Sequence, residues 1–124
     1  MIGSIERERL LLDIKLLRKS INKWSLISVG LGVEHGIENC ALCQYYEYPC
    51  ERNHIECPVY SKTGFTLCSH TPHEEWCNHM NDKHNEYWMK CEQSEVQCGE
   101  CRTIANRELM FLQGILEEYK EELK

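Results

Sequence analysis

Apolar residues recur through the first quarter of the chain at the period of a helix. Leu10, Ile14, Leu17, Ile21 and Trp24 step by four, three, four and three, the spacing of a packing seam. Leu11, Leu12 and Leu16 widen that stripe. Ser4 stands where a capping side chain is wanted, and Glu6 and Glu8 suit the positive end of a helix dipole. Gly30 and Gly32 end the pattern. The spacing predicts a helix over 4–26.

The other end of the chain mirrors this arrangement. Ala105, Leu109, Leu112, Leu116, Tyr119 and Leu123 step by four and three, and the face opposite carries Glu117, Glu118, Lys120, Glu121, Glu122 and Lys124. This predicts a helix over 99–123. Neither helix can hide its stripe alone. The two terminal helices are therefore expected to pack on each other, as an antiparallel hairpin or within a dimeric bundle.

A third helix begins in the middle of the chain. Thr71-Pro72-His73-Glu74 offers a capping threonine, a proline at the first helical position and a glutamate at the third, the residues of a capping box. Trp76, Met80, Tyr87 and Cys91 continue at helical spacing, giving a helix over 72–91. Residues 33–70 lack such a period, and Pro49, Pro58 and Gly64 interrupt them, so an irregular loop is expected. The fold class read from these patterns is mainly α, in a single domain of 124 residues.

Composition changes the picture at one point, the thiols. The chain holds nine cysteines, and a domain of this size gains from cross-links beyond its apolar core. An odd count cannot be paired completely within one chain. The N-terminus is charged from Glu6 onward, with no continuous apolar core and no small-residue cleavage site, so it reads as a helix and not as a secretory leader. The expectation is a reducing cytoplasm, no membrane association, and thiolates on zinc rather than in disulfides. The net charge of −6 counts against a general nucleic-acid binder.

Zinc in structural sites takes four ligands in a tetrahedron. Cys40-Ala-Leu-Cys43 and Cys98-Gly-Glu-Cys101 have the C-x2-C spacing with which a tight turn aims two sulfurs at one ion. The thiols fall into two groups, which suits one or two zinc ions. In the loop the assignment is Cys40, Cys43, Cys57 and Cys68, with Cys50 spare or exchanged for one of them. In and after the third helix it is Cys77, Cys91, Cys98 and Cys101. His70 follows Cys68 by two positions and His79 follows Cys77 by two, so either histidine can replace a thiolate. The second set carries a condition. In one unbroken helix Cys91 and Cys98 would stand about 10.5 Å apart along the axis, too far to share an ion, so the helix must break between Glu92 and Gly99.

The run "CALC…C…CPVYSKTGFTLCSHTP…W", with "SINKW" before it and "ELMFLQGIL" after it, resembles a family of small cysteine-rich proteins of tailed bacteriophages. The matching positions are Cys40, Leu42, Cys43, Cys50, Cys57, Pro58, Cys68, Thr71 and Pro72, then Glu108, Phe111 and Leu112. His73 stands where those relatives have tyrosine, and Cys77, Cys91, Cys98 and Cys101 lie outside the shared pattern. The resemblance implies a phage origin and a bacterial host cytoplasm, and it implies no reaction.

The function expected from these features is docking: a zinc-stabilised platform that binds a host or phage protein, as a modulator or inhibitor, without catalysis. Aromatic residues between Tyr45 and Trp88 are candidate anchors, and the helices offer a homodimer surface. The alternatives are nucleic-acid binding through the loop, where Arg52, His54 and Lys62 accompany tyrosines, and an HNH-like nuclease built on His70, His73, Asn78, His79, Asn81, Asp82 and His84. The nuclease pattern lacks the usual Asp-His and the spacing to the second cysteine pair.

Overall fold

The computed structural model of the chain describes residues 3–31, 40–46, 57–63, 70–83 and 98–124. Five helices account for nearly all of them: α1 (Ser4–Ser28), α2 (Ala41–Tyr46), α3 (Pro58–Thr63), α4 (Pro72–Lys83) and α5 (Gly99–Leu123). No strand occurs among the described residues. The expected mainly helical fold is what forms, with the two terminal helices packed against each other.

These two helices are 25 residues each, about 37 Å long at 1.5 Å per residue. They run antiparallel. Gly30, just past the end of α1, faces Arg102 near the start of α5. Asp13, in the first half of α1, lies close enough to Tyr119 for its charge to act on the phenol. Numbers rise along one helix as they fall along the other, which is a hairpin.

The buried stripe of α1 is Asp13, Ile14, Leu16, Leu17, Ser20, Trp24 and Ile27. On α5 it is Cys101, Ile104, Ala105, Glu108, Leu112 and Ile115. The sequence seam is recovered at Ile14, Leu17, Trp24, Ala105 and Leu112. Leu11 departs from it: expected on the stripe, it is 48% exposed. On α5 the centre of burial lies about one position earlier than the apolar spacing suggests, because Glu108 and Cys101 also face inward. Leu17, Trp24, Ile27 and Ile115 are sealed from solvent, and each such side chain contributes roughly 1.5–3 kcal/mol through burial.

Helix ends follow backbone chemistry more than the expected cap. Gly3, not Ser4, occupies the N-cap of α1, and no side chain caps it. At the other end the Gly30 N–H donates to the Ile27 carbonyl and the Leu31 N–H to the Leu26 carbonyl. That is a Schellman motif, and Gly30 sits at φ +82 to make it. An added Cβ there would be strained and would also meet the Arg102 guanidinium at 3.0 Å.

The segment expected as an irregular loop contains two helical turns, α2 and α3, in its described parts. Helix α2 packs on α1, and α3 packs on α5. Lys62 of α3 pairs with Glu118 of α5 at 2.6 Å, and Val59 and Cys57 are buried beneath. Apolar residues flanking the cysteines, Leu42 and Val59, give these short turns a reason to form: each joins the common core. Two-turn pieces have little stability of their own, so docking holds them.

Helix α4 starts at Pro72. Thr71 Oγ1 accepts from the His73 N–H at 3.2 Å, while the Glu74 carboxylate reaches back to the His70 N–H at 3.0 Å. The box is thus closed one residue further out than its usual form, with His70 at φ 60. Trp76 and Met80 of α4 are fully buried. Trp24 meets both Trp76 and His73 edge-on, with ring centroids 5.3 and 5.8 Å apart. Edge-to-face pairs of this kind add about 0.5–1.5 kcal/mol beyond burial. They fix the roll of α4 over the hairpin, and that roll decides where His79 points.

Candidate metal centre

Helices α4 and α5 run in opposite directions, since Glu75 pairs with Arg107 while His79, further along α4, meets Glu100. The C-terminal half of α4 therefore overlies the N-terminus of α5. Cys98 is the N-cap of α5 in extended geometry, with φ −87 and ψ 172. The required helix break is present at this residue. The Cys98 sulfur accepts the Cys101 N–H at 3.4 Å, one of the four N–H groups that a helix start leaves without an intrahelical partner.

Three ligand atoms converge here. His79 Nε2 is 3.2 Å from Cys98 Sγ, and Cys98 Sγ is 3.4 Å from Cys101 Sγ. The three lie within 4.8 Å of one another and could hold a metal ion. His79 is 8% exposed and Cys101 is fully buried, whereas Cys98 is half-buried. The other imidazole nitrogen, Nδ1, lies 2.8 Å from Glu100 Oε2. With Nδ1–H donating to that carboxylate, the lone pair of Nε2 is aimed at the two sulfurs. Metal-bound histidines usually have their second nitrogen held in this way, which fixes tautomer and ring orientation.

Electrostatics divide the two cysteines. Burial pushes the Cys101 thiol up to about 12, with its hydrogen bond to the Cys98 backbone pulling the other way and the neighbouring Cys98 side chain adding to the rise. In metal-free protein at neutral pH this sulfur carries its proton. A cation entering the cluster must displace that proton, so uptake strengthens as pH rises. The positive end of α5 favours the thiolates that result.

Of the cysteines expected as ligands, Cys98 and Cys101 come together. Cys77 does not join them in this structure. It is disulfide-bonded, and its sulfur partner is not among the described side chains. Its imidazole neighbour two positions on, His79, takes the place beside the pair. The helix period explains the exchange: Cys77 and His79 point about 200° apart around α4, Cys77 lying buried 3.7 Å from His73 Nδ1 while His79 reaches the start of α5. Cys40 and Cys57 are described and stand outside disulfides. Both pack into or against the core, and neither belongs to a three-ligand group among the described residues. Cys50, Cys68, Cys91, His84 and the side chain of Cys43 lie outside the described residues.

Glu100 was not singled out by sequence. The signal available for it was weak: an acid in the first turn of a helix is common without any ligand nearby. Of the anchors expected for docking, Trp76 is buried and Tyr45 is 53% exposed. No helix among the described residues is long and apolar enough to cross a membrane. No protein-family model, curated protein or solved structure matches the chain.

Proposed function

We propose that His79, Cys98 and Cys101 supply three of the four ligands of a structural zinc ion that locks α4 onto the start of α5, and that the firm helical surface so made docks on a protein partner. The observation that carries the zinc reading is the imidazole seated between Glu100 and the two sulfurs. In a tetrahedral site with bonds of about 2.3 Å to sulfur and 2.0–2.1 Å to nitrogen, sulfurs stand about 3.8 Å apart and a sulfur and nitrogen about 3.6 Å. The separations of 3.4 and 3.2 Å need to open by only a few tenths of an ångström. One nitrogen with two sulfurs suits zinc, and it does not suit magnesium or calcium, which take oxygen.

The ion would supply a cross-link between elements far apart in sequence, and no reaction is assigned to it. Docking on a host or phage protein is supported by the apolar residues that the fold leaves outside. Leu26, Val29 and Leu31 are 42, 60 and 76% exposed around the end of α1. The net charge of −6 suits a basic partner.

Cobalt titration of the metal-free protein tests the zinc reading. Intense visible bands of tetrahedral cobalt with sulfur ligands are expected, and His79→Ala should weaken them and shift their position. Identical spectra from the two proteins would remove His79 from the site. For the docking reading, zinc-loaded protein should capture a partner from host lysate that is lost on chelation and recovered on adding zinc. Capture indifferent to metal would separate the platform from the ion.

A further inference from the structure

The two sulfurs at the start of α5 are built asymmetrically. Cys98 is half-buried at the helix N-cap, and Cys101 one turn later is fully buried. They are 3.4 Å apart, and both stand outside disulfides. A disulfide needs 2.03–2.05 Å, so closure asks for a movement of about 1.4 Å, within reach of side-chain rotation. Elsewhere on α4, two positions before His79, Cys77 is disulfide-bonded.

We propose that Cys98 and Cys101 form a redox couple, in which Cys98 attacks a small-molecule disulfide, Cys101 resolves the adduct, and closure of the pair expels the metal. Release of the ion rests on the zinc reading above, whereas closure needs only the two sulfurs. The Cys98 sulfur bonds to one sulfur of the oxidant, whose S–S bond breaks, and the first thiolate leaves. The Cys101 sulfur then bonds to the Cys98 sulfur and the second thiolate leaves. Two electrons pass from the protein's sulfur pair to the oxidant, which departs as two thiols. The protons come from the cysteines in the metal-free protein and from solvent when a metal held the thiolates. The metal leaves as the divalent ion, since a disulfide is a poor ligand.

Exposure sets the order of events. The reagent meets the half-buried sulfur first, and the buried one is reached only from within. His79 then loses both neighbouring ligands, so the grip of α4 on α5 relaxes when the pair closes. The site would read the thiol–disulfide balance of its surroundings through the presence of the ion.

Metal-free protein and zinc-loaded protein are treated with oxidised glutathione, and the cysteines are mapped by mass spectrometry. Metal-free protein should acquire a Cys98–Cys101 cross-link. Cys101→Ser should instead accumulate a glutathione adduct on Cys98, and Cys98→Ser should leave residue 101 unmodified over the same time. In zinc-loaded protein one equivalent of metal should leave in step with the cross-link. Brief alkylation of wild-type protein, which needs no variant to fold, should label Cys98 before Cys101. Modification of Cys101 first, or cross-links that join Cys98 mainly to another cysteine, would overturn the couple. Cross-linking with the metal retained would overturn its coupling to the ion. Protein that closes the pair but never takes up zinc would sink the zinc reading and leave the couple standing.

Discussion

The hairpin of α1 and α5 and the junction of α4 with the start of α5 share one helix, yet they are held by different forces. Along the hairpin, contact is mostly apolar, with Leu17, Trp24, Ile27, Ala105, Leu112 and Ile115 in one core and Asp13, Ser20 and Glu108 buried on the same stripes. At the junction, beside the buried Trp76 and Met80, polar groups are placed one by one: an imidazole, two sulfurs and a carboxylate. Burial tolerates small shifts because dispersion and solvent exclusion are non-directional, whereas three ligands on one ion are not interchangeable. On the proposed reading, α5 is kept in place by its middle while its first turn answers to metal and redox state.

The sharpest way to break that contrast is at the hairpin. Leu17→Ala, at a fully buried position, should lower stability by about 2–5 kcal/mol, equally with and without metal. Denaturant curves in zinc and in chelator measure this, and a loss confined to the zinc-loaded protein would merge the two regions into one. At the junction the smaller effect should show the opposite dependence. Glu100→Ala should weaken metal binding roughly 10–100-fold and leave the metal-free stability nearly unchanged. Glu100→Gln, which still offers an oxygen to Nδ1–H, should recover part of the loss in a competition titration.

A pH series separates the regions again. Burial pushes Tyr119 up from 10.0 to about 12, helped by Asp13, Glu122 and Cys57 and opposed by a hydrogen bond from Ser61. The folded state thus holds this proton more tightly than the unfolded chain. Its contribution is intact below pH 10 and is lost as pH rises towards 12, so metal-free protein should weaken in that window and Tyr119→Phe should weaken less. A variant with the wild-type pH profile would remove the phenol from the account. Least is expected from the surface. Lys62→Ala and Arg107→Ala break exposed ion pairs to Glu118 and Glu75 and should cost no more than about 1 kcal/mol each in thermal melts.

The difference between the regions also decides what could be read in advance. The hairpin was legible because helix period and burial are both properties of one stretch of chain. Leu17, Trp24 and Leu112 announce their role by spacing alone. The inward turn of Glu108 and Asp13 was not legible, since polar residues on a stripe look like gaps in it until a third element covers them. At the junction the C-x2-C pair was visible and its partner was only one of several alternatives. Cys77 and His79 differ by two positions, about 200° around a helix. Which of them faces α5 follows from the roll of α4, set by the edge contacts of Trp24 with Trp76 and His73. That packing is non-local, so no spacing rule near residue 77 contains it.

The central claim is that His79, Cys98 and Cys101 share one ion. Metal content per chain, measured on wild-type protein and on the Cys98→Ser, Cys101→Ser double variant after identical zinc loading and desalting, tests it most directly. The variant should hold one equivalent fewer than the wild type, whatever the remaining cysteines bind. Equal content in the two proteins would contradict the site.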